Sequence, residues 1–581
     1  MKNIKSNEVA VLVIGPFNEP FDYSIESEKN SVCIGQVVLV PFGKRKTVGI
    51  IVGEGTRTIP QEKLKRIDEI YELNPIPQSS IELINFLANW YCAYKGLVLK
   101  MVLSPVEAIT SPEYKKVYKS KFKDIEQIEA INTYKITSNR KIVLDFLLKS
   151  KQAVFPEDLI EKTGISRSIL RDMTKKNLIV EEMVKKQTNS NLKAFNYYKT
   201  KFENTKLLNA EQKKAVDKIN LSIKKQKSDC FLLDGVPGSG KTETYFQTVK
   251  ACLDECKQIL ILLPEISLTP DWEKRFYQTF SFAPLVWHSG VTNTKKKQIW
   301  LSALNGSAGV VVGARSALML PISNLGLIIV DEEHEPAFKQ EEGIRYNARD
   351  MAIYKAIRSS APIVLASATP SLETFHNMKI GKYIHLTLPK RATGAALPDI
   401  KLIDLKVNTP ERGRWISSVL VNEIKSKLDN REQSLLFLNR RGYAPLTICN
   451  SCGNKIKCVN CDTWLVEHRS QDILVCHHCG YTKRISNTCS ICGVEGQIKA
   501  CGPGVERIEE EINQLFPEAK LTVLSSDTMK SQKTLIKTLE NIKNNKVDII
   551  IGTQMIAKGH DFPDLKLVGI IDSDIGLSGG D

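Results

Sequence analysis

Nowhere in the 581 residues does an apolar run approach the ~18 residues of a membrane-spanning helix. The N-terminal stretch "MKNIKSNEVAVLVIG" lacks the long hydrophobic segment and small-residue cleavage site of a secretory signal. Both absences point to a cytoplasmic chain with no membrane partner. There is no internal repeat and no low-complexity tract. Acidic residues are in short supply: 65 Asp+Glu face 81 Lys+Arg, a net charge of +16. Thioredoxin-like patterning is missing as well, so the many cysteines need another explanation than redox exchange.

The length leaves room for about three to five domains of ordinary size. Positive charge is concentrated in residues 111–200, where 19 Lys+Arg stand against 11 Asp+Glu. A local excess of this kind suits a phosphate backbone, whose displaced counterions drive association. A generally Lys-rich composition would also produce it.

Short strands punctuated by Gly and Pro, "VAVLVIG", "QVVLVPFG" and "TVGIIVG", suggest a small β domain over 1–106, closed by the helical patch "SSIELINFLANWYCAYKG". Residues 107–184 hold three short amphipathic helices and a following strand, the pattern of a helix-turn-helix with a wing. Ser166 is placed to cap the third helix, and Gly164 to make the turn before it. A polar linker follows over 185–206. The chain then alternates apolar runs with helical stretches, first over 207–397 ("DCFLLDG", "QILILLP", "AGVVVGA", "LGLIIVDEE", "APIVLASAT"). The alternation resumes over 398–444 and 502–581 ("SLLFLNR", "LTVLSSD", "VDIIIGT", "LKLVGII"). Strands buried on both faces of a parallel sheet look like this, so an α/β multidomain protein with two tandem lobes is expected.

"GVPGSGKT", Gly235 to Thr242, follows one of these strands and precedes a helical pattern, the setting of a P-loop. Gly235, Gly238, Ser239 and Gly240 would turn backbone N–H groups onto phosphate oxygens. Lys241 would reach the β/γ-phosphates and Thr242 would hold Mg²⁺, so ATP with Mg²⁺ is the expected ligand. "LIIVDEEH" ends another buried strand. Asp331 is expected to hold the Mg²⁺ and Glu332 to polarise the attacking water. "SATPS" (367–371) sits at a third strand end, where hydroxyls could relay the nucleotide state. Gln212, in "LNAEQKKAV", is placed to read adenine.

Of 14 cysteines, eight form four CxxC pairs within 44 residues: Cys449-x2-Cys452-x5-Cys458-x2-Cys461-x14-Cys476-x2-Cys479-x9-Cys489-x2-Cys492. Two closed Cys₄ zinc sites in a zinc-binding insert, 445–501, follow from the number and pairing of the thiols. Spacing alone leaves sequential and nested arrangements open. Closed sites offer no open coordination position, so the two Zn²⁺ would organise a surface and take no part in hydrolysis. Cys33, Cys92, Cys230, Cys252, Cys256 and Cys501 have no CxxC partner and are read as packing residues.

The P-loop, "DEEH", "SATPS" and "IGTQMIAKGHDFPDL" (551–565), in that order, resemble a superfamily 2 helicase with two RecA-like lobes. "DEEHEPAFKQEEGIRYNARDMA", "LLFLNRRGYAP", the four CxxC pairs and the N-terminal "FDYSIE…GQVVLVPFGKRKTVGIIV" narrow this to the PriA family of bacterial replication-restart helicases, over the chain from about residue 9. The resemblance implies a DNA 3′-end-binding function for 1–106 and unwinding with 3′→5′ polarity at stalled forks and D-loops. It also implies forked and single-stranded DNA, primosome proteins and the single-stranded-DNA-binding protein as partners. In the loop after "DEEH", Phe338, Lys339, Arg345 and Tyr346 would couple DNA contact to hydrolysis, the aromatics by stacking on unpaired bases. Nested zinc pairing is implied too, with Cys449, Cys452, Cys489 and Cys492 on one ion and Cys458, Cys461, Cys476 and Cys479 on the other. No segment like the family's "QVAGRAGR" follows "DLKLVGIIDSDIGLSGGD" (564–581), so a shortened chain of doubtful turnover is expected. The rival expectation is a hydrolysis-deficient, DNA-structure-binding scaffold for primosome assembly.

Overall fold

The computed structural model describes residues 3–4, 6–25, 32–56, 60, 63–107, 114–122, 137–150, 154–185, 208–264, 270–392, 398–411, 414–438, 446–449, 451–452, 454, 456–461, 464–468, 473–476, 479–496, 498–501, 504–525, 532–553, 556, 562–571 and 573. They fall into two compact units, one of residues 1–265 with 275–394 and one of 266–274 with 395–581. The expected linker beyond Lys185, and most of 551–561, lie outside the described residues.

In the first unit, the N-terminal sheet has five antiparallel strands in the order Phe21–Ser24, Glu8–Val13, Arg45–Glu54, Val37–Phe42, Glu69–Ile70. Valine and isoleucine dominate its inner positions, since β-branched side chains fit a pleated, half-buried surface. The helical patch proves to be two helices, Gln78–Trp90 and Lys95–Val102. Their apolar residues, among them Leu83, Leu87, Val98 and Leu99, join one continuous core with Trp300, Ile328, Tyr346 and Ala352. Polar contacts seal this junction. Trp300 Nε1 donates to Val102 O at 2.8 Å, and the Asn347 amide donates to the Tyr91 hydroxyl at 3.1 Å. Phe86 stacks on Tyr354 with ring centroids 3.9 Å apart.

The helices Ser138–Ser150, Pro156–Thr163 and Arg167–Lys175 enclose a core of their own around Leu144, Leu159, Leu170 and Met173. Strand Ile179–Lys185 comes next, as expected, and pairs antiparallel with Tyr114–Ser120, a strand the sequence patterning did not reveal. Gly164 ends the second helix at φ 68°. Ser166 occupies the N-cap position of the third, but its hydroxyl bonds no helix amide and lies 2.7 Å from that of Ser168.

A seven-stranded parallel sheet completes the first unit, ordered Leu285–Trp287, Val310–Gly313, Gln258–Leu262, Leu325–Asp331, Ile363–Ser367, Cys230–Gly235, Ile384–Leu388. Its five central strands are the five apolar runs. The two edge strands escaped notice for a physical reason: Leu285–Trp287 is only three residues long, and Ile384–Leu388 buries just Leu386 and Leu388.

The second unit carries a four-stranded parallel sheet, ordered Leu521–Leu524, Ile549–Gly552, Gln433–Leu438, Leu565–Ile571. It also holds small antiparallel sheets formed by Leu446–Cys449 with Ile498–Cys501, and by Val466–His468, Ile473–Val475 and Thr482–Arg484. Among the described residues, no helix is long and apolar enough to cross a membrane.

The cysteines outside the CxxC pairs divide. Cys230 and Cys252 are buried, and burial pushes both thiols well above their ordinary range. Cys92 and Cys256 are exposed at turn positions with φ 52° and 55°, which corrects their reading as packing residues.

Candidate functional site

Strand Cys230–Gly235 delivers the chain into the glycine loop, and helix Lys241–Asp254 leaves it, so the first turn's unbonded amides face the loop. Gly238 and Gly240 take φ 78° and 81°, where a side chain would be strained. Space forbids one at Gly240 too, since a Cβ there would come within 2.3 Å of Gln212 Nε2. Lys241 Nζ donates to Gly235 O at 3.0 Å, the loop's own carbonyl. The loop of amides closed by one lysine fits the phosphates of a nucleotide in sign and in hydrogen-bonding character.

Gln212 is bonded within the protein. Buried at the third position of helix Ala210–Lys225, it forms a reciprocal capping box with Asn209. Its Oε1 accepts from Asn209 N at 2.9 Å, while Nε2 donates to Ser239 O at 2.8 Å. With both ends of the amide engaged, Gln212 fastens the P-loop to that helix.

Asp331 closes the central strand, half-buried. Its carboxylate accepts from the Tyr245 hydroxyl at 2.9 Å and from the Glu332 amide at 3.1 Å. Burial, and then the Glu332 carboxylate beside it, push Asp331 up to about 6, while Tyr245 and Lys241 oppose the shift. A bound cation would restore the ionised form, so the donor set fits a hard divalent ion such as Mg²⁺. Glu332 itself sits at φ 49°, a strained conformation for a non-glycine residue, which costs on the order of 1 kcal/mol.

Residues that the sequence did not single out tie these motifs together. Glu333, fully buried, accepts from Arg349 at 3.1 Å, from the Ser371 amide at 2.7 Å and from the Thr374 hydroxyl at 2.9 Å. His334 Nδ1 lies 2.8 Å from Ser367 Oγ. The two outer serines of "SATPS" thus bond directly to "DEEH". Further along helix Ala348–Arg358, the buried Lys355 donates to the carbonyls of Leu318 and Leu320, both at 2.6 Å. Only the tertiary fold shows this network, because a third acid in "DEEH" and an arginine 16 positions later carry no spacing signal.

Glu333→Ala would remove one of the two carboxylates that pair with Arg349, Asp350 remaining at 2.8 Å, and would leave the Ser371 amide and Thr374 hydroxyl without their acceptor, at about 1–3 kcal/mol for each buried group left unpaired. The transition of this lobe should move to a lower temperature in calorimetry, and Glu333→Gln should recover part of the loss. An unshifted transition would mean that Arg349 does not depend on Glu333.

The loop after "DEEH" departs from its expected form. Phe338 and Tyr346 are 2% and 1% exposed, so neither ring offers a face to a base in this structure. This corrects the stacking role: both rings are anchors in the core, and the Tyr346 hydroxyl donates to Arg315 O at 3.4 Å. Lys339 and Arg345 are exposed on the same loop, and Arg345 Nε bonds back to Glu341 O at 3.2 Å.

In the second unit the eight thiols gather into two groups, Cys449, Cys452, Cys489, Cys492 and Cys458, Cys461, Cys476, Cys479, with all four Sγ atoms of a group within 4.8 Å. The nested arrangement is therefore the one the fold adopts. Neighbouring Sγ atoms are 3.7 Å apart across Cys449–Cys492 and Cys452–Cys489, and 3.5 and 3.4 Å apart across Cys458–Cys479 and Cys461–Cys476. These separations exceed a disulfide and match the edge of about 3.8 Å expected of a tetrahedron with Zn–S near 2.3 Å.

A parallel-sheet lobe with a P-loop and an acidic strand end, a second parallel-sheet lobe and a Cys₄ insert together define a helicase-type α/β protein. Residues 209–378 match the DEAD/DEAH box helicase family, 488–579 the helicase conserved C-terminal domain, 9–104 the 3′DNA-binding domain (3′BD), and 458–484 the PriA DNA helicase Cys-rich region (CRR) domain. The replication restart protein PriA of Rickettsia felis is 38% identical over 97% of this chain and 74% of its own length. That of Haemophilus influenzae is 35% identical over 98% and 77%, and that of Bacillus subtilis 31% over 96% and 77%. RecG bound to a three-way DNA junction aligns at a TM-score of 0.37 and 17% identity, over 62% of this chain and 38% of RecG. The chain belongs to the replication restart protein PriA family, whose helicase, DNA-binding and zinc-binding character it shares.

Proposed function

We propose that the chain is an ATP-dependent DNA helicase of 3′→5′ polarity that engages stalled forks and D-loops and starts primosome assembly. One observation carries this reading: the buried Glu333 hub joins the acidic strand end beside the P-loop to "SATPS" and to the helix that leaves the charged loop 339–347. A change at the nucleotide therefore has a short, bonded route to a loop bearing Lys339 and Arg345.

In this reading Gly235, Gly238, Ser239 and Gly240 hold the phosphates, with Gln212 bracing the loop against them. Thr242 and Asp331 hold Mg²⁺, which supplies charge neutralisation to the transferring phosphoryl group. Lys241 leaves Gly235 O for the β/γ-phosphates, and Glu332 orients the attacking water. Lys339 and Arg345 meet DNA phosphates, while Phe338 and Tyr346 hold the loop they stand on. The zinc insert serves as a docking surface for primosome proteins, and the single-stranded-DNA-binding protein is a further partner. The N-terminal sheet receives a DNA 3′ end.

Steady-state ATP turnover with and without forked DNA tests the proposal. Stimulation by the fork, lost in Lys339→Ala/Arg345→Ala while nucleotide binding persists, is the expected result. Fork binding with nucleotide bound but never turned over would favour the hydrolysis-deficient scaffold instead.

A further inference from the structure

The edge strand Ile384–Leu388 runs parallel to Cys230–Gly235 in a register that sets Leu388 opposite Gly235, so both strands end at the same level. The two segments leaving these strands stay side by side. Val236 N donates to Leu388 O at 3.3 Å, and Ala392 N donates to Gly238 O at 2.9 Å. Residues 389–392 thus lie along the P-loop, bonded to its backbone at Gly238. Lys390 and Ala392 are exposed, yet Arg391 between them is half-buried. The reason is its stem: a Cβ at Gly238 would lie 3.8 Å from Arg391 Cγ and 3.9 Å from Cδ, ordinary contact distances. A Cβ at Gly240 would similarly lie 3.6 Å from that of Ala392. The charged group begins one bond beyond Cδ, so a guanidinium is anchored at the tip of the phosphate loop.

We propose that Arg391 is a nucleotide-contacting residue whose guanidinium binds the polyphosphate at the Gly238 tip of the P-loop. Charge balance favours it. Within the loop Lys241 is the only cation, while Asp331 and Glu332 add negative charge beside a ligand that is itself strongly anionic. A planar fork of donors suits phosphate oxygens better than a second ammonium would. The alternative is that the side chain merely covers Gly238 as packing and never meets the ligand.

The proposal rests on Gly235–Thr242 being a nucleotide site, and the test separates the two. Binding of Mg·ADP and of a non-hydrolysable ATP analogue is titrated on the whole chain, with inorganic tripolyphosphate as competitor. Arg391→Met keeps the stem and removes the charge. It should weaken both nucleotides and tripolyphosphate about tenfold, the size of one charge-assisted hydrogen bond, with an unchanged thermal transition. Arg391→Lys should recover part of the loss. Wild-type affinity in Arg391→Met would reduce the residue to packing and overturn the proposal. So would a loss confined to the adenine nucleotides with tripolyphosphate unaffected, which would move the contact to the base. If the wild-type chain bound no nucleotide, and no better than Lys241→Ala, the P-loop reading would fall and Arg391 with it.

Discussion

Lys241→Ala should abolish ATP turnover, with a loss of at least ~10²–10³, the usual effect of removing one preorganised charge from a transition-state site. Nothing else in the loop can replace it. Gly235, Gly238 and Gly240 offer only amides, and the Ser239 side chain is buried beneath them. Lys241 bonds just one loop carbonyl, so its removal costs the fold little; the loop remains bolted through Gln212 and helix Lys241–Asp254. Binding to forked DNA should therefore persist, because the proposed function assigns it to the N-terminal domain and to exposed cations far along the chain from the P-loop. Filter binding without nucleotide, run beside the turnover assay, reads both. An equal loss of fork binding would sink this separation of roles.

Metal analysis of the chain should return about two zinc ions, the number that two closed Cys₄ groups demand. Chelation, or Cys458→Ser, should unravel the insert around its small core of Cys458, Leu465, Leu474 and Cys476. So few apolar residues cannot hold a fold alone, whereas a structural zinc contributes on the order of 10 kcal/mol. Nucleotide binding should survive, since the P-loop lobe has a core without any of these cysteines. Cys458→Ser should retain about one ion, on the other Cys₄ group. A wild-type stoichiometry near one, or loss of both ions from Cys458→Ser, would mean that the two groups are not independent sites.

The chemistry of the chain was legible from local pattern wherever one short segment carries it all. "GVPGSGKT" needs nothing beyond its own glycines and lysine to declare a phosphate cradle, and a CxxC pair declares half a metal site. Patterning failed where the meaning of a residue depends on what meets it. Gln212 is placed by its position to read adenine, and only the packed loop shows the further task of its amide, which bonds Asn209 and Ser239. Phe338 and Tyr346 looked like stacking faces because the family resemblance assigns a DNA-coupling role to their loop. Burial is a property of the neighbours, and those neighbours include Arg315 and the core beneath.

By itself, then, the sequence determined the order of the two parallel-sheet lobes, the phosphate loop, the acidic strand end and the number of metal-binding thiols. Each is written in residues that are contiguous or regularly spaced. The tertiary structure alone decided which cysteines share an ion, since nested and sequential pairings have the same spacing and differ only in how the strands of the insert fold back. It also decided that Glu333 meets Arg349 and Ser371, and that Trp300 and Asn347 bond residues of the N-terminal helices. Such contacts join positions 16 to 256 residues apart, brought together by the burial of apolar surface that has no one-dimensional period to betray it.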